Sequence, residues 1–302
     1  YLVYHVDGIL ILTVTYFIHL LVLMAAAAAY GVSPAKFAVP MLFGFFMNLL
    51  YYIVTYETVI VAMMMTGKII VGLLATAVFF SFFPAVGVLI AGFEDIFFIT
   101  ADKIPNEALF DTLGHLSPVG AYVMSLADIS DGKTVAAAQI LGLLIAIFAV
   151  GILGMELYRK RPMEAAGKAM AFAVSQPVIR VLITVVAGLG IGDFFWSLQH
   201  SNGWMVFGVV CGSVISHCVI ESIYHFDFRK LFSHKEQLAF STLAALAILF
   251  SFRFDVFGYD TYLPSADKVA YASVDIGRLN DWVSYGKVVE DQEIHGQRVL
   301  YS

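Results

Sequence analysis

Long uninterrupted runs of apolar residues dominate the chain, and most polar residues lie in the stretches between them. A helix needs about 20 apolar residues to cross a hydrocarbon core of about 30 Å. Glu57 and the pair Tyr51 and Tyr52 interrupt the second run, and its length predicts a tilt, a break or an interfacial portion. The pattern predicts an all-α polytopic membrane protein with about seven transmembrane helices, at about 8–30, 37–65, 69–93, 135–157, 178–198, 204–223 and 238–252.

Basic residues cluster in two of the connecting stretches, 158–177 and 224–237. Because short cytoplasmic loops carry an excess of lysine and arginine, both are predicted to be cytoplasmic. The acidic stretch 94–133 is then an extracellular loop, since one span separates it from 158–177. Seven spans place Tyr1 inside and Ser302 outside, and we expect further residues before Tyr1.

The composition of the chain changes after residue 254. We therefore predict a transmembrane domain over 1–254 and an extracellular C-terminal segment over 255–302. Short alternating runs at 268–276 and 282–290 predict exposed strands, so the segment is expected to be α/β or β. A segment this short is small for an independent domain without disulfides. We expect it to begin a larger extracellular domain or to dock on the loop 94–133.

The composition excludes the soluble classes of protein. Hydrophobic residues make up 60% of the chain and charged residues 13%, against about 45–50% and about 25% in soluble proteins. The mean hydropathy is +0.85. A net charge of −6 argues against a polybasic, nucleic-acid-binding protein. Cys211 and Cys218 lie in one apolar run, which excludes a disulfide framework.

No phosphate-binding loop and no serine or cysteine nucleophile motif occurs in the sequence. We therefore predict no catalytic residue, no enzymatic activity and no cofactor in this chain. If ATP drives its function, another subunit must hydrolyse it.

Three acidic residues lie within or near the predicted spans: Glu57, Asp193 and Glu221. An ionisable group at membrane depth is a functional candidate, because it must be paired, protonated or facing water. The residue types favour helix-stabilising contacts, and a place along a substrate path is the functional hypothesis for Glu57, Asp193 and Glu221. Asp193 follows the run "GLGIG", which predicts a helix break at a cavity or a position near the outer end of the span.

His217, Glu221 and His225 follow one another at a spacing of four, which places them on one helix face. The two histidines lie about 12 Å apart along the helix axis, too far to share one ion. A metal would need ligands from other segments, so we predict no metal site. An intramembrane metal-dependent enzyme using His217 and Glu221 stays open as an alternative.

Both cytoplasmic stretches mix basic residues with apolar ones, in the strings "LYRKRPMEAAGKAMAF" and "ESIYHFDFRKLFSHK". Such amphipathic elements either anchor a loop at the lipid head groups or dock a cytoplasmic partner. The composition of the two stretches fits both possibilities equally well.

In these two strings, and in the outward "FDVFGYDTYLPSADKVAYASV", the chain resembles permease subunits of type-2 ABC exporters from Gram-positive bacteria. The resemblance implies a multi-pass permease of the bacterial plasma membrane with an extracellular C-terminal domain. It also implies a second permease subunit, as a homo- or heterodimer, and separate ABC ATP-binding subunits that hold ATP and Mg²⁺. The resemblance further implies two contact surfaces for an ATP-binding subunit. We predict that the first is formed by Arg159, Lys160, Arg161 and Glu164 and the second by Phe228, Arg229, Lys230 and Phe232. We expect export of an amphipathic, peptide or antibiotic-like substrate.

Two further alternatives stay open. An ion-coupled secondary transporter or channel would use the three acidic residues of the spans and would need no ATPase. A sensory subunit would bind a ligand outside and signal through the cytoplasmic stretches.

Overall fold

The structure is a computed structural model that describes residues 2–31, 33, 35–98, 107–130, 137–165, 167–260, 262, 290–294 and 297–301. The helices within these ranges are α1 Leu2–Ala29, α2 Ala35–Met65, α3 Ile69–Phe97, α4 Glu107–His115, α5 Pro118–Ser130, α6 Ala137–Lys160, α7 Ser175–Gln199, α8 Asn202–His225 and α9 Lys235–Arg253. Short 3₁₀ turns occupy Met163–Ala165 and Phe228–Lys230. Strands β1 Glu290–Ile294 and β2 Gln297–Tyr301 form an antiparallel hairpin.

Seven of the described helices are long and apolar enough to cross a membrane. Each coincides with a stretch predicted from the sequence, which confirms an all-α polytopic membrane protein. Helix α2 runs without a break across its 31 residues, which span about 46 Å at about 1.5 Å per residue. It is longer than a hydrocarbon core, so it must tilt or extend beyond the core. The spans are Val6–Ala29, Pro40–Met65, Ile69–Phe97, Ala137–Lys160, Ser175–Gln199, Asn202–His225 and Lys235–Arg253.

Helices α7 and α8 share the most extensive helix contact of the described residues. A Cβ placed on Gly208 would lie 2.9 Å from the Cα of Gly192, and one on Gly212 would lie 2.7 Å from the Cβ of Ile191. Small residues let two membrane helices approach closely. The run "GLGIG" therefore serves helix packing, and α7 continues through it as one helix.

The described part of the stretch 94–133 differs from a simple outer loop, because α4 and α5 fold back into the bundle. Ser117, between these two helices, is fully buried and donates to the carbonyl of Phe80 at 2.6 Å. Phe80 lies near the middle of α3. From α5, the hydroxyl of Tyr122 donates to Oδ1 of Asn48 at 2.7 Å. The turn between α4 and α5 therefore reaches roughly half the depth of α3.

The chain divides into two compact units, Tyr1–Asp260 and Thr261–Ser302. The boundary lies later than the composition change after residue 254, because the residues following α9 pack on the first unit. The ring of Tyr259 stacks on that of Phe98, with centroids 4.9 Å apart. The Asp255 carboxylate accepts hydrogen bonds from the amides of Tyr259 and Asp260.

Within the second unit, the hairpin pairs Glu290 with Tyr301 at one end and Ile294 with Gln297 at the other. The predicted strand 268–276 lies outside the described residues. The predicted strand 282–290 also lies outside them, apart from its last residue, which begins β1.

Candidate functional site

Three connections between spans meet at one end of the bundle. The amide of Gly67 donates to the carbonyl of Ala169 at 3.3 Å, which joins the α2–α3 connection to the α6–α7 connection. The ammonium of Lys68 lies 3.4 Å from the centroid of the Phe226 ring, a cation–π contact with the α8–α9 connection. Residues 66–68, 161–165, 167–174 and 226–234 are called the inner end below, after the side of the membrane that the sequence predicts for them. Their meeting agrees with the common side that alternating spans assign to them.

A buried ion pair lies beside the inner end. Arg180 in α7 is 1% exposed and Glu221 in α8 is 0% exposed. Nε of Arg180 lies 2.6 Å from Oε1 of Glu221. The guanidinium of Arg180 also donates to Oε1 of Gln237 in α9. The arginine therefore links three of the seven spans.

Chain topology explains this meeting. Helices α7 and α8 are joined by the short connection 200–201, so the start of α7 lies beside the end of α8. Arg180 lies in the second turn of α7 and Glu221 one turn before the end of α8. Sequence reasoning missed Arg180 as a site residue, although an arginine in an apolar run beside an intramembrane acid signals a paired charge.

Histidines surround the Glu221 carboxylate. His225 Nε2 lies 3.1 Å from Oε2, and His234 Nδ1 lies 3.3 Å from Oε1. The rings of His225 and His234 are nearly parallel, with centroids 6.2 Å apart. His217 is held differently: its Nε2 donates to the carbonyl of Ser233 at 2.9 Å and lies 4.0 Å from the carboxylate. His234, on the α8–α9 connection, is the ligand-type residue that the spacing along one helix could not reveal.

Three buried polar atoms of this cluster have no hydrogen-bond partner among the described residues. Oε2 of Glu221 and Nδ1 of His217 are buried and have no hydrogen-bond partner among the described residues. Nε of Arg180 lacks one too, since its short contact with the carboxylate is not in hydrogen-bond geometry. Buried polar atoms are nearly always satisfied in native proteins. The free carboxylate oxygen is therefore the atom of this cluster most available to a further ligand.

The first predicted contact surface divides into exposed and inward-facing residues. Arg159 and Lys160 end α6 and pair with Glu156 on the exposed surface. Arg161 turns inward, and its Nη2 donates to the carbonyl of Thr66 at 2.8 Å. Arg161 therefore fastens two connections of the inner end together.

Glu164 of the first predicted surface and all four residues of the second one are exposed. Glu164 is exposed and lies 3.9 Å from Lys168. In the second surface, Phe228 is 78% exposed and Phe232 is also exposed. Arg229 and Lys230 complete the exposed 3₁₀ turn, which begins with the Asp227 carboxylate accepting from the Arg229 amide. Exposed aromatic and basic side chains thus lie next to each other at the inner end.

The three predicted substrate-path acids lie against different helices of the described bundle. Glu57 is buried in α2, and a Cβ placed on Gly151 of α6 would lie 3.6 Å from its Oε1. Asp193 in α7 faces α3, where a Cβ on Gly92 would lie 3.5 Å from its Oδ1. Glu221 contacts α7 through its arginine partner. Each acid therefore occupies its own helix contact.

A cavity of about 500 Å³ lies between α3, α7 and α8. Its lining is mostly aliphatic and aromatic, with hydroxyls from Ser81 and Tyr224. The ring of Tyr224 also lies 5.3 Å from the guanidinium of Arg180. The cavity and the buried ion pair therefore share a wall residue.

The described residues thus combine a buried charged cluster, an apolar cavity and an exposed inner end. Comparison of the chain with protein-family models, with curated proteins and with solved structures finds no match. What the geometry shows is a multi-pass membrane protein in which one buried arginine links three spans beside the inner end.

Proposed function

We propose that the chain is the membrane-spanning permease subunit of an ATP-driven type-2 ABC exporter in a bacterial plasma membrane. Separate ATP-binding subunits would hold ATP and Mg²⁺, and a second permease subunit would complete the transporter. In this arrangement the C-terminal segment 255–302 is extracellular. The observation that carries the proposal is the exposed aromatic and basic surface at the inner end, in a chain without a nucleotide-binding motif.

The exposed side chains of the inner end suit a protein partner. Phe228 stands out from a 3₁₀ turn with Arg229 and Lys230 beside it. An exposed aromatic anchor with charged neighbours is typical of the centre and rim of a protein interface. Arg159 and Lys160 extend the basic rim from the end of α6.

The inner end is also placed to pass a movement into the bundle. A movement of the α8–α9 connection would displace Phe226, whose ring contacts the ammonium of Lys68 at the start of α3. It also acts on α8 and α9, which Arg180 links to α7. Three of these helices, α3, α7 and α8, line the cavity, so closure of two ATPase subunits would change its shape.

The cavity supports an amphipathic substrate. Its wall is apolar apart from a few hydroxyls, which suits a lipid-like, peptide or antibiotic-like molecule with a hydrophobic part. Glu57, Asp193 and Glu221 remain candidates for contacts along the path of such a molecule.

Co-purification tests the proposal. A tagged full-length chain, expressed from its native operon, is purified in detergent, and an ATPase with Walker motifs is expected to accompany it and to be stimulated by it. Truncation of a central interface anchor typically costs at least about 2 kcal/mol, so Phe228→Ala should weaken this association more than about tenfold. Arg159→Glu/Lys160→Glu should weaken it as well.

Phe254→Ala is the matched control, because Phe254 is 71% exposed at the opposite end of α9. The control variant should keep its ATPase. The proposal fails if no ATPase accompanies the wild-type chain, or if Phe228→Ala retains the ATPase as well as Phe254→Ala does. Transport by the chain alone, driven by an ion gradient, would favour the secondary-transporter alternative.

A further inference from the structure

We propose that Glu221, His225 and His234 form a binding site for a divalent transition-metal ion, best suited to Zn²⁺, beside the inner end. One ligand atom from each residue lies within 4.8 Å of the other two. The inference concerns the chain alone and does not depend on the proposed transport function.

The distances fit a common ion. Zinc binds imidazole nitrogen at about 2.0–2.1 Å and carboxylate oxygen at about 2.0–2.2 Å, so neighbouring ligands of a tetrahedral site lie about 3.3 Å apart. His225 Nε2 is 3.1 Å from Oε2 of Glu221, which matches this spacing, whereas His234 Nδ1 is 3.3 Å from Oε1 and so lies against the other oxygen of the same carboxylate. The ligand nitrogens of His225 and His234 lie within 4.8 Å of each other. The side chain of His234 is 46% exposed, so it can rotate to bring its nitrogen closer.

Two of the three proposed ligand atoms, Glu221 Oε2 and His225 Nε2, lie close together without a hydrogen bond between them. Oε2 of Glu221 is buried without a hydrogen bond among the described residues, although His225 Nε2 is only 3.1 Å away. Two polar atoms this close without hydrogen-bond geometry are arranged as two ligands of a third atom would be. Oε1, by contrast, is engaged by Arg180 and accepts a hydrogen bond from Nδ1 of His234. Binding of an ion by that Nδ1 therefore requires its proton to move to Nε2 or to be released.

Arg180 then acts as the outer-shell partner of the site. Ligating carboxylates are usually oriented by a further hydrogen-bonding or charged group, and that is what the guanidinium does for Glu221. Its positive charge also opposes a divalent cation and cancels the charge of Glu221. We therefore expect a weaker site than the closed structural sites with several thiolates.

The ligand set selects the metal. Two imidazoles and one carboxylate suit zinc and its transition-metal neighbours, whereas Mg²⁺ and Ca²⁺ prefer oxygen ligands alone. Ions can reach the site from the inner end, since His225 is 29% exposed and His234 46% exposed. A bound ion would fasten residues 226–234, which carry Phe228 and Phe232, to the end of α8.

Zinc binding to the purified full-length chain in detergent micelles tests the inference. After removal of metal with a chelator, equilibrium dialysis against Zn²⁺ with elemental analysis should show saturable binding of one ion per chain. Loss of an outer-shell partner typically weakens metal affinity 10- to 100-fold, so loss of a ligand in His225→Ala or His234→Ala should weaken it at least about tenfold. Mg²⁺ should not compete.

His19→Ala is the matched control, because His19 is an exposed histidine of α1 whose Nδ1 donates to the carbonyl of Thr15 within its own helix. Its zinc binding should equal that of the wild type. Glu221 is left in place, because its loss would strand the buried Arg180 charge. Both tested histidines are partly exposed, so their variants are expected to fold.

Absence of saturable zinc binding by the wild-type chain overturns the inference. So does zinc binding that His225→Ala and His234→Ala leave unchanged, or that His19→Ala weakens equally. Co-purification of an ATPase is measured separately, so failure of the metal site and failure of the transport proposal are distinguishable.

Discussion

Replacing Arg180 with methionine would leave the Glu221 carboxylate buried without its guanidinium. Methionine keeps most of the length of the arginine side chain and fills much of its volume, so the change removes the charge with little loss of packing. The contact to Gln237 on α9 is lost as well. The variant therefore tests whether this one residue holds α7, α8 and α9 together.

The magnitude follows from the geometry of the pair. Two unit charges 2.6 Å apart attract by about 6 kcal/mol at an effective dielectric constant of about 20. Desolvation of both groups offsets much of that attraction, and removal of one partner from a buried pair costs about 3–5 kcal/mol. We expect Arg180→Met to lower the free energy of unfolding by this amount. We expect the double variant Arg180→Met/Glu221→Leu to recover most of it, because an apolar pair strands no charge.

Unfolding in mixed micelles with increasing dodecyl sulfate, followed by tryptophan fluorescence, measures these free energies. Arg159→Met is the matched control, because Arg159 forms an exposed pair with Glu156, and such pairs contribute about 0–1 kcal/mol. The reasoning is refuted if Arg180→Met is as mild as Arg159→Met. It is also refuted if the double variant is destabilised by the sum of the losses measured for Arg180→Met and for Glu221→Leu as single variants.

Two more variants test the packing of the bundle by the same unfolding measurement. Gly208→Ala should destabilise the protein by about 1–3 kcal/mol, because the added Cβ would lie 2.9 Å from the Cα of Gly192 in α7. Gly142→Ala is the control: a Cβ there meets open space, so the change should stabilise the protein by about 0.5–1 kcal/mol. Equal effects of the two variants would contradict the close approach of α7 and α8. Ser117→Ala should destabilise the protein by about 1–2 kcal/mol, because it removes the hydroxyl that accepts from the Gly120 amide at the start of α5 and donates to the carbonyl of Phe80. An unchanged unfolding midpoint would argue that the turn between α4 and α5 does not reach the middle of α3.

Apolar patterning alone was enough to locate the seven spans, because a helix must offer about 20 apolar residues to lipid wherever it crosses. The same pattern did not predict that α4 and α5 fold back into the bundle. The apolar part of α5 is too short to span, so its composition looks like that of a loop. The position of α5 in the bundle depends on the hydrogen bond from Ser117 to the carbonyl of Phe80, which joins residues 37 positions apart. The glycines before Asp193 were equally ambiguous, since the same residues permit a helix break or a close helix contact.

For the site, the sequence determined which residues carry charge at membrane depth, and so it singled out Glu221. It also placed the basic and aromatic residues in connections of one side, because each span reverses the direction of the chain. Only the tertiary structure decided what the carboxylate meets: Arg180 from the preceding span and His234 from the following connection. Spacing along one helix is local, whereas a buried charge takes its partner from whichever segment packs against it. For that reason the cluster beside the inner end belongs to the fold and could not be read from any single stretch of the chain.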